Sequence, residues 1–196
     1  ELVERISSVF ADLIAVAERH GGDVLKFRGD ALLLLFLDER HAERAAGAAS
    51  DMQWTIEEIG RQESSVGPVE LRMSVGVHSG LCNFFLTEEP HRELLVAGPA
   101  ATRVFELEDL ATAGEIIVST ETASLLDPSW LAEERDGARL MIRLPPGASP
   151  IPPPPAVVGR DLAEYVPIPL RSHLAVASGE AEHRHVTVAF VKISNT

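Results

Sequence analysis

The pattern of apolar and polar residues predicts two helices and a β-hairpin in the first third of the chain. Apolar residues recur at spacings of three and four over residues 2–17, which is typical of an amphipathic helix. Two runs with the composition of β-strands follow at 23–27 and 31–37, and the short Arg28-Gly29-Asp30 connection favours a tight hairpin. Alanine-rich sequence with apolar residues at helical spacing then predicts a second long helix over residues 39–61.

Residues 67–144 carry the signals of several short strands and one further long helix. The alternation over residues 69–77 is typical of a strand, and residues 82–86 are a candidate for its hairpin partner. Further signals predict a strand at 93–97, a helix at 99–110, a strand at 115–118, a short helix at 120–126, and a hairpin of 130–134 with 139–144 across Asp136-Gly137. This order predicts an α+β sandwich, in which helices cover one face of a mostly antiparallel sheet.

The composition changes abruptly after residue 144. Seven of the eleven residues from 145 to 155 are proline, which is typical of an extended spacer. Residues 185–193 (HVTVAFVKI) then have the composition of a buried strand. The sequence therefore predicts a first domain over residues 1–144, a proline-rich linker over 145–183 and a separate strand within residues 184–196.

Charge and cysteine content narrow the classes of partner and compartment. The 196 residues carry a formal net charge of −13, which disfavours nucleic acid and anionic membrane surfaces as general partners. A polyphosphate ligand would need metal ions or locally placed cations. Cys82 is the only cysteine, which fits a reducing compartment such as the cytoplasm. No apolar run approaches the roughly 20 residues that a membrane-spanning helix needs.

The segment 21–30 (GGDVLKFRGD) contains the residues best suited to bind a ligand. A carboxylate beside glycine at a hairpin tip is open to a hard cation, and Mg²⁺ is usually held by one or two carboxylates together with substrate phosphates. Asp30 has that position, and Lys26 near the end of the strand can reach an anion or a polar base edge. Gly-Asp pairs also form turns that bind nothing, and a strand lysine is often a solvated edge charge. Both interpretations stay open at this point.

Four segments resemble class III adenylyl and guanylyl cyclases in order and spacing. Residues 21–36 (GGDVLKFRGDALLLLF) are similar to the central hairpin of the family, and 72–80 (RMSVGVHSG) to the following strand and glycine turn. Residues 94–98 (LLVAG) resemble the strand before the nucleotide-site helix, and 114–126 (GEIIVSTETASLL) the closing segment. The resemblance covers about residues 1–144 and implies a ferredoxin-like α+β cyclase sandwich. The hairpin is especially similar to that of the first domain in tandem soluble adenylyl cyclases.

The resemblance implies a role for Asp30 and for a second domain. Such cyclases convert ATP to cyclic AMP and pyrophosphate at a two-ion Mg²⁺ (or Mn²⁺) site, and Asp30 matches the second metal-binding aspartate. The first is expected on a strand upstream of Glu1. Residues 185–194 (HVTVAFVKIS) resemble the opening strand of a second cyclase domain, in which Lys192 stands at the position of the metal aspartate. An active site shared by two domains of one chain is therefore expected, with negligible turnover from residues 1–196 alone.

The chain departs from the family at other positions of the nucleotide site. Leu95 stands in place of an adenine-reading aspartate, and Thr102 and Glu106 stand in place of the ribose-positioning asparagine and the transition-state arginine. A glutamate cannot stabilise negative charge that develops on a phosphoryl group. A second hypothesis therefore stays open, namely a pseudo-cyclase that dimerises or senses a small ligand without catalysis. The choice between ATP and GTP also stays open, since the base-reading residues are expected largely in the second domain.

A regulatory anion pocket is a further implication of the resemblance. In soluble adenylyl cyclases the face that corresponds to these departures is a bicarbonate pocket. Lys26 matches the lysine of that pocket and Val96 matches a residue that lines it, whereas Phe105 stands at the position of its arginine. Bicarbonate is therefore a candidate ligand, and the substitution at Phe105 bears directly on whether the site can hold it.

Overall fold

The structure, a computed structural model, describes residues 2–64, 67–88, 92–147, 165–166 and 171. The helices in these ranges are α1 (Leu2–Arg19), α2 (His41–Ile59), α3 (Pro99–Leu110) and α4 (Thr120–Ala123), together with a short 3-10 helix at Pro128–Trp130. Within the same ranges, no helix combines the length and the apolar character needed to cross a membrane.

The strands of the described residues form four separate sheets. They are β1 (Gly22–Arg28), β2 (Ala31–Phe36), β3 (Arg61–Ser64), β4 (Gly67–Glu70), β5 (Val75–Val77), β6 (Asn83–Leu86), β7 (Leu94–Ala97), β8 (Ile116–Ser119), β9 (Leu131–Arg135) and β10 (Ala138–Met141). Three sheets are antiparallel pairs, β1-β2, β3-β4 and β6-β7, and the fourth has the order β5-β8-β10-β9. Only the β5–β8 pair is parallel among these strands. The α+β class is confirmed, but one continuous sheet is not formed because β2 and β5 do not pair.

The first apolar cluster joins α1, α2 and the β1–β2 hairpin. The apolar stripe of α1 buries Val9, Leu13 and Val16 against Met52 and Ile56 of α2. Side chains two residues apart on a strand share a face, so β2 can add two leucines to the edge of this cluster, Leu32 and Leu34. The predicted hairpin is confirmed, and one of its faces packs against the pair of helices α1 and α2.

The four-stranded sheet is covered by helices on both faces, not on one face as the sequence predicts. Ile116 and Val118 of β8 pack in a cluster with the small residues Ala42, Ala46 and Ala49 of α2. The residue between them, Ile117, points to the opposite face and packs with Leu107 of α3 and Ala138 of β10. All four residues of β8 are buried, which explains why this strand is a continuous apolar run rather than an alternating one.

The segment from residue 69 to 77 is not the single strand that its alternation predicts. It is divided between β4 and β5, and the residues between them form no strand. Leu71 and Met73 pack instead against the cluster of α1 and α2, and the Met73 carbonyl accepts a hydrogen bond from the Gly114 amide. The predicted pairing of residues 82–86 with this strand is also wrong, because β6 pairs with β7 and β5 pairs with β8.

A bidentate ion pair ties the start of β8 to the edge strand β9. Arg135 donates to the two carboxylate oxygens of Glu115 at 2.7 and 3.0 Å, and the Thr112 amide donates to the same carboxylate at 2.9 Å. The hydrogen bonds from Arg135, and next the Thr112 amide, lower the pKa of Glu115 to about 2 from its usual 4.5. Because the folded-state pKa is lowered, the stabilisation is fully present above about pH 4.5 and is lost as the pH falls toward 2.

We expect Glu115→Gln to lower the free energy of unfolding by about 1–2 kcal/mol at pH 7, since both side chains are only partly exposed. The difference from the parent should shrink progressively between pH 4.5 and pH 2, as the parent carboxyl is protonated. Urea unfolding at several pH values measures both quantities. Glu133→Gln is the matched control, because Glu133 contacts the same Arg135 at 3.4 Å with a side chain that is 69% exposed. An equal loss in the two variants would contradict the assignment.

Candidate functional site

Asp30 lies at the exposed tip of the β1–β2 hairpin. The ladder ends at the pair of Arg28 with Ala31, and Gly29 makes the turn with a φ of +62°, a conformation that favours glycine. In the described ranges, the Asp30 carboxylate has no ion pair or hydrogen bond, and no group of three potential metal-ligating side chains occurs. One open carboxylate fits one ligand position of a Mg²⁺ or Mn²⁺ ion. The remaining ligands would have to come from substrate, water or residues outside the described ranges.

Lys26 lies on β1, four residues before Asp30, and forms an ion pair. Its Nζ is 2.7 Å from Oε1 of Glu93, and the two side chains are 44% and 41% exposed. The Glu93 amide also donates to Oγ1 of Thr87 at 2.9 Å, which holds the residue before β7 in place. Sequence reasoning missed Glu93, because nothing in the local pattern indicates a pairing between residues so far apart in the chain. An anion that binds Lys26 would compete with this carboxylate.

An apolar groove of about 390 Å³ separates β2 from β5. Within the described residues, β2 pairs only with β1 and β5 only with β8, so one edge of each strand is unpaired. Residues of α2 line the groove on one side, and residues of β6, β7 and α3 line it on the other, among them Ala49, Met52, Phe84, Val96 and Val104. Val96, which the resemblance predicts to line an anion pocket, is part of this apolar wall, whereas its neighbour Leu95 is exposed.

The β6–β7 hairpin exposes an unusual amount of apolar surface. All four residues of β6 are exposed, and the large side chains Phe84, Phe85, Leu86 and Leu95 are between 42% and 57% exposed. Exposed apolar side chains that cluster on one element mark interaction surfaces more often than isolated ones do. Phe85 and Leu95 are paired across the two strands and therefore share one face of the hairpin, which we call the apolar hairpin surface. It lies next to Lys26, because the partner of that lysine, Glu93, immediately precedes β7.

The model of the adenylate and guanylate cyclase catalytic domain matches residues 1–144. The chain belongs to this family. Adenylate cyclase type 10 from Oryctolagus cuniculus is 29% identical over 138 residues, which are 69% of this chain and 8% of that protein. The chain thus spans less than a tenth of the length of this relative.

Solved cyclase structures have the same fold. The adenylyl cyclase CyaB from P. aeruginosa has a TM-score of 0.57 at 20% identity, covering 71% of this chain and 80% of that chain. A dimeric guanylyl cyclase domain of the RhoGC fusion protein from Blastocladiella emersonii has a TM-score of 0.59 at 21% identity, with coverage of 71% and 80%. At these identities the likeness establishes the cyclase fold, and the predicted family resemblance is confirmed.

The two departures from the family that the resemblance predicts on α3 are exposed. Thr102 and Glu106 both lie on the solvent side of the helix, and the Glu106 carboxylate accepts a hydrogen bond from Arg103 at 2.9 Å. A cyclase that used this helix for transition-state stabilisation would need a cation where this chain has a paired glutamate. The predicted Lys192 and the strand of residues 184–196 lie outside the described residues, as does most of the predicted linker over 145–183.

His78, directly after β5, lines the groove between β2 and β5 and also belongs to a largely buried polar network. Its Nδ1 lies 2.9 Å from Oγ of Ser119, and that hydroxyl also accepts from the Thr122 amide at the start of α4. Burial lowers the pKa of His78, and the carboxylate of Glu121, 3.8 Å away, only partly opposes the shift. The network connects β5, β8 and α4, so the role that the contacts indicate for His78 in this cyclase domain is structural.

Proposed function

We propose that residues 1–144 are the metal-binding half of a nucleotide cyclase, which converts ATP to cyclic AMP and pyrophosphate in cytoplasmic signalling. The observation that carries the proposal is the Asp30 carboxylate, exposed on the glycine turn of the β1–β2 hairpin. It is paired with no other described residue. In a member of the cyclase family, an open carboxylate at this turn suits a Mg²⁺ or Mn²⁺ ion beside a triphosphate.

The proposed reaction is an intramolecular displacement on ATP. The ribose 3′ oxygen forms a bond to the α-phosphorus, and the bond from that phosphorus to the oxygen bridging the β-phosphate breaks. Pyrophosphate leaves, and the hydroxyl proton is lost to solvent or a base. Two Mg²⁺ or Mn²⁺ ions, when bound, neutralise the triphosphate and lower the pKa of the hydroxyl. Asp30 contributes one anionic ligand, and cations are essential because the chain itself carries a net charge of −13.

A second cyclase domain of the same chain would complete this site. Within the described residues one carboxylate is available at the hairpin tip, and the residues that the resemblance predicts in the nucleotide site, Thr102 and Glu106, lack the amide and the cation that catalysis would need. The apolar hairpin surface gives such a domain a place to dock, since Phe85 and Leu95 are 57% and 42% exposed on the same face. The dimeric guanylyl cyclase domain of similar fold supports a two-domain arrangement.

The groove between β2 and β5 supports the expected upstream strand. A strand placed there would find unpaired edges on both sides and apolar walls from α2, β6, β7 and α3. A strand buried on both faces is expected to be apolar almost throughout. The family resemblance places the first metal-binding aspartate on such a strand, upstream of Glu1. It would then run beside the hairpin that carries Asp30.

The test is cyclic-nucleotide formation by the full-length protein with Mg²⁺ or Mn²⁺ and either ATP or GTP, with products measured by mass spectrometry. We expect cyclic AMP from ATP to exceed cyclic GMP from GTP, in line with the similarity to adenylate cyclase type 10. If cyclic GMP predominates, the proposed substrate is GTP rather than ATP. No product from either nucleotide, with a folded protein, would contradict catalysis altogether.

The second candidate function is a pseudo-cyclase that dimerises or senses a small anion such as bicarbonate. The exposed Glu106 favours a domain without catalysis, since a carboxylate at this position does not serve phosphoryl chemistry. Two features oppose the binding of bicarbonate. Lys26 is already paired with Glu93, and Phe105 stands where the related bicarbonate pocket has an arginine. A bicarbonate titration of the same assay distinguishes the functions, because a sensor without chemistry yields no product at any bicarbonate concentration.

A further inference from the structure

The two faces of β1 contact different parts of the molecule. Phe27 points toward α1, where its ring meets the ring of Phe10 edge to face at a centroid distance of 5.8 Å. Lys26 and Arg28 flank Phe27 and so point to the other face. Lys26 reaches Glu93 beside β7. The guanidinium of Arg28 lies 4.6 Å from the centre of the Phe105 ring on α3.

The Arg28–Phe105 contact joins the hairpin tip to an anchored helix. Arg28 is the last residue of β1, and its ladder partner Ala31 immediately follows Asp30. On the other side, α3 is held against the four-stranded sheet through Leu107, which is completely buried. The guanidinium stacked on the ring is therefore a direct link between the turn that carries Asp30 and the main sheet.

Two charged side chains of β1, Lys26 and Arg28, make polar contacts on this face of the hairpin in the described residues. The edge of β2 that faces the groove has no strand beside it in the described part of the chain. The ion pair of Lys26 with Glu93 acts further back along β1 and is about half exposed. A carboxylate that must meet a metal ion at a defined distance from substrate has to be held within a fraction of an ångström. An upstream strand in the groove would pair with β2, whereas the contact of Arg28 with Phe105 holds the last residue of β1, next to the turn itself.

We propose that Arg28 is a positioning residue for Asp30: by lying on Phe105, it fixes the β1–β2 turn relative to α3. The inference rests on the proposed cyclase function and adds a residue to it. The related anion pocket has an arginine at the position of Phe105, whereas this chain has the ring on α3 and the cation on the hairpin. The two groups form an attractive cation–π pair in this arrangement.

The test compares Arg28→Ala, Phe105→Leu and Arg28→Lys in the full-length protein. We expect the first two variants to raise the Mn²⁺ concentration for half-maximal cyclic AMP formation about tenfold, with a smaller change in kcat at saturating Mn²⁺. Arg28→Lys should recover part of the loss, because an ammonium also binds an aromatic face. Arg72→Ala is the control, because Arg72 is an exposed arginine that pairs with Glu70 away from the hairpin.

Amide hydrogen exchange of residues 28–33 provides a readout that does not depend on activity. Faster exchange in Phe105→Leu, together with the shifted Mn²⁺ dependence, supports the proposal. Faster exchange with an unchanged Mn²⁺ dependence would show a contact that is merely structural and would overturn it, as would unchanged exchange. If the parent protein makes no cyclic nucleotide, the cyclase function fails. The link between Phe105 and the turn is then judged by exchange and by direct Mn²⁺ titration of Arg28→Ala.

Discussion

Asp30→Asn in the full-length protein is expected to lower cyclic AMP formation by at least about 10²-fold at saturating ATP and Mg²⁺. Asparagine has the shape of aspartate but offers a neutral oxygen, and Mg²⁺ depends on anionic oxygen ligands to offset its dehydration. The fold should not change, since Asp30 is exposed and forms no hydrogen bond or ion pair with another described residue. Raising the metal concentration, or replacing Mg²⁺ by Mn²⁺, should recover part of the activity.

Asp136→Asn is a matched control for this experiment. Asp136 also lies beside a glycine in an exposed hairpin turn, between β9 and β10, and its φ of +49° is tolerated by asparagine. We expect this variant to keep the activity and melting temperature of the parent. Full activity of the Asp30→Asn variant would show that Asp30 is not a metal ligand, even if the protein is a cyclase. Equal losses in both variants would indicate damage unrelated to metal binding.

Much of the fold follows from local sequence signals, because its elements are local. The apolar spacing of α1, the β1–β2 hairpin and the β9–β10 hairpin across Asp136-Gly137 were all predicted from residues within about twenty positions of each other. The family was also evident from the sequence, since four short segments had the right order. The Asp30 site stays a prediction, although its exposed turn is the geometry that the prediction requires.

Pairings over long distances could not be predicted in the same way. The alternation of apolar and polar residues over 69–77 is that of a strand, yet Leu71 and Met73 pack against the apolar cluster of α1 and α2. Lys26 gives no local sign that its partner is Glu93, and Arg28 gives none that it lies on Phe105. Each of these contacts depends on how separate elements pack, which a single sequence does not specify.

One signal in the sequence could have predicted the second helical layer. A glycine inside a strand often marks the close approach of another backbone, and Val75-Gly76-Val77 is such a case. A Cβ at Gly76 would lie 2.5 Å from the amide nitrogen of Glu108 and 2.8 Å from the carbonyl oxygen of Val104. The glycine therefore lets α3 pack directly on β5, on the face of the sheet opposite to α2.

We expect Gly76→Ala to destabilise the domain by about 3 kcal/mol, the upper end of the usual cost of overpacking. The obstructing atoms belong to the backbone of α3, so no side chain can rotate away, and the helix itself has to shift. For a chain of this size the loss corresponds to a fall in melting temperature of about 6–12 °C. Thermal unfolding followed by circular dichroism measures it.

Thr102→Ala is the control, since it changes an exposed position of the same helix. Alanine is the better helix former, so this variant should keep or slightly raise the melting temperature. If Gly76→Ala is as stable as the parent, α3 does not pack on β5 as closely as the 2.5 Å distance from an added Cβ to the α3 backbone implies. Because α3 also carries Phe105, a shifted helix should increase amide exchange at the β1–β2 turn in Gly76→Ala. That result would connect the packing of the sheet to the position of Asp30.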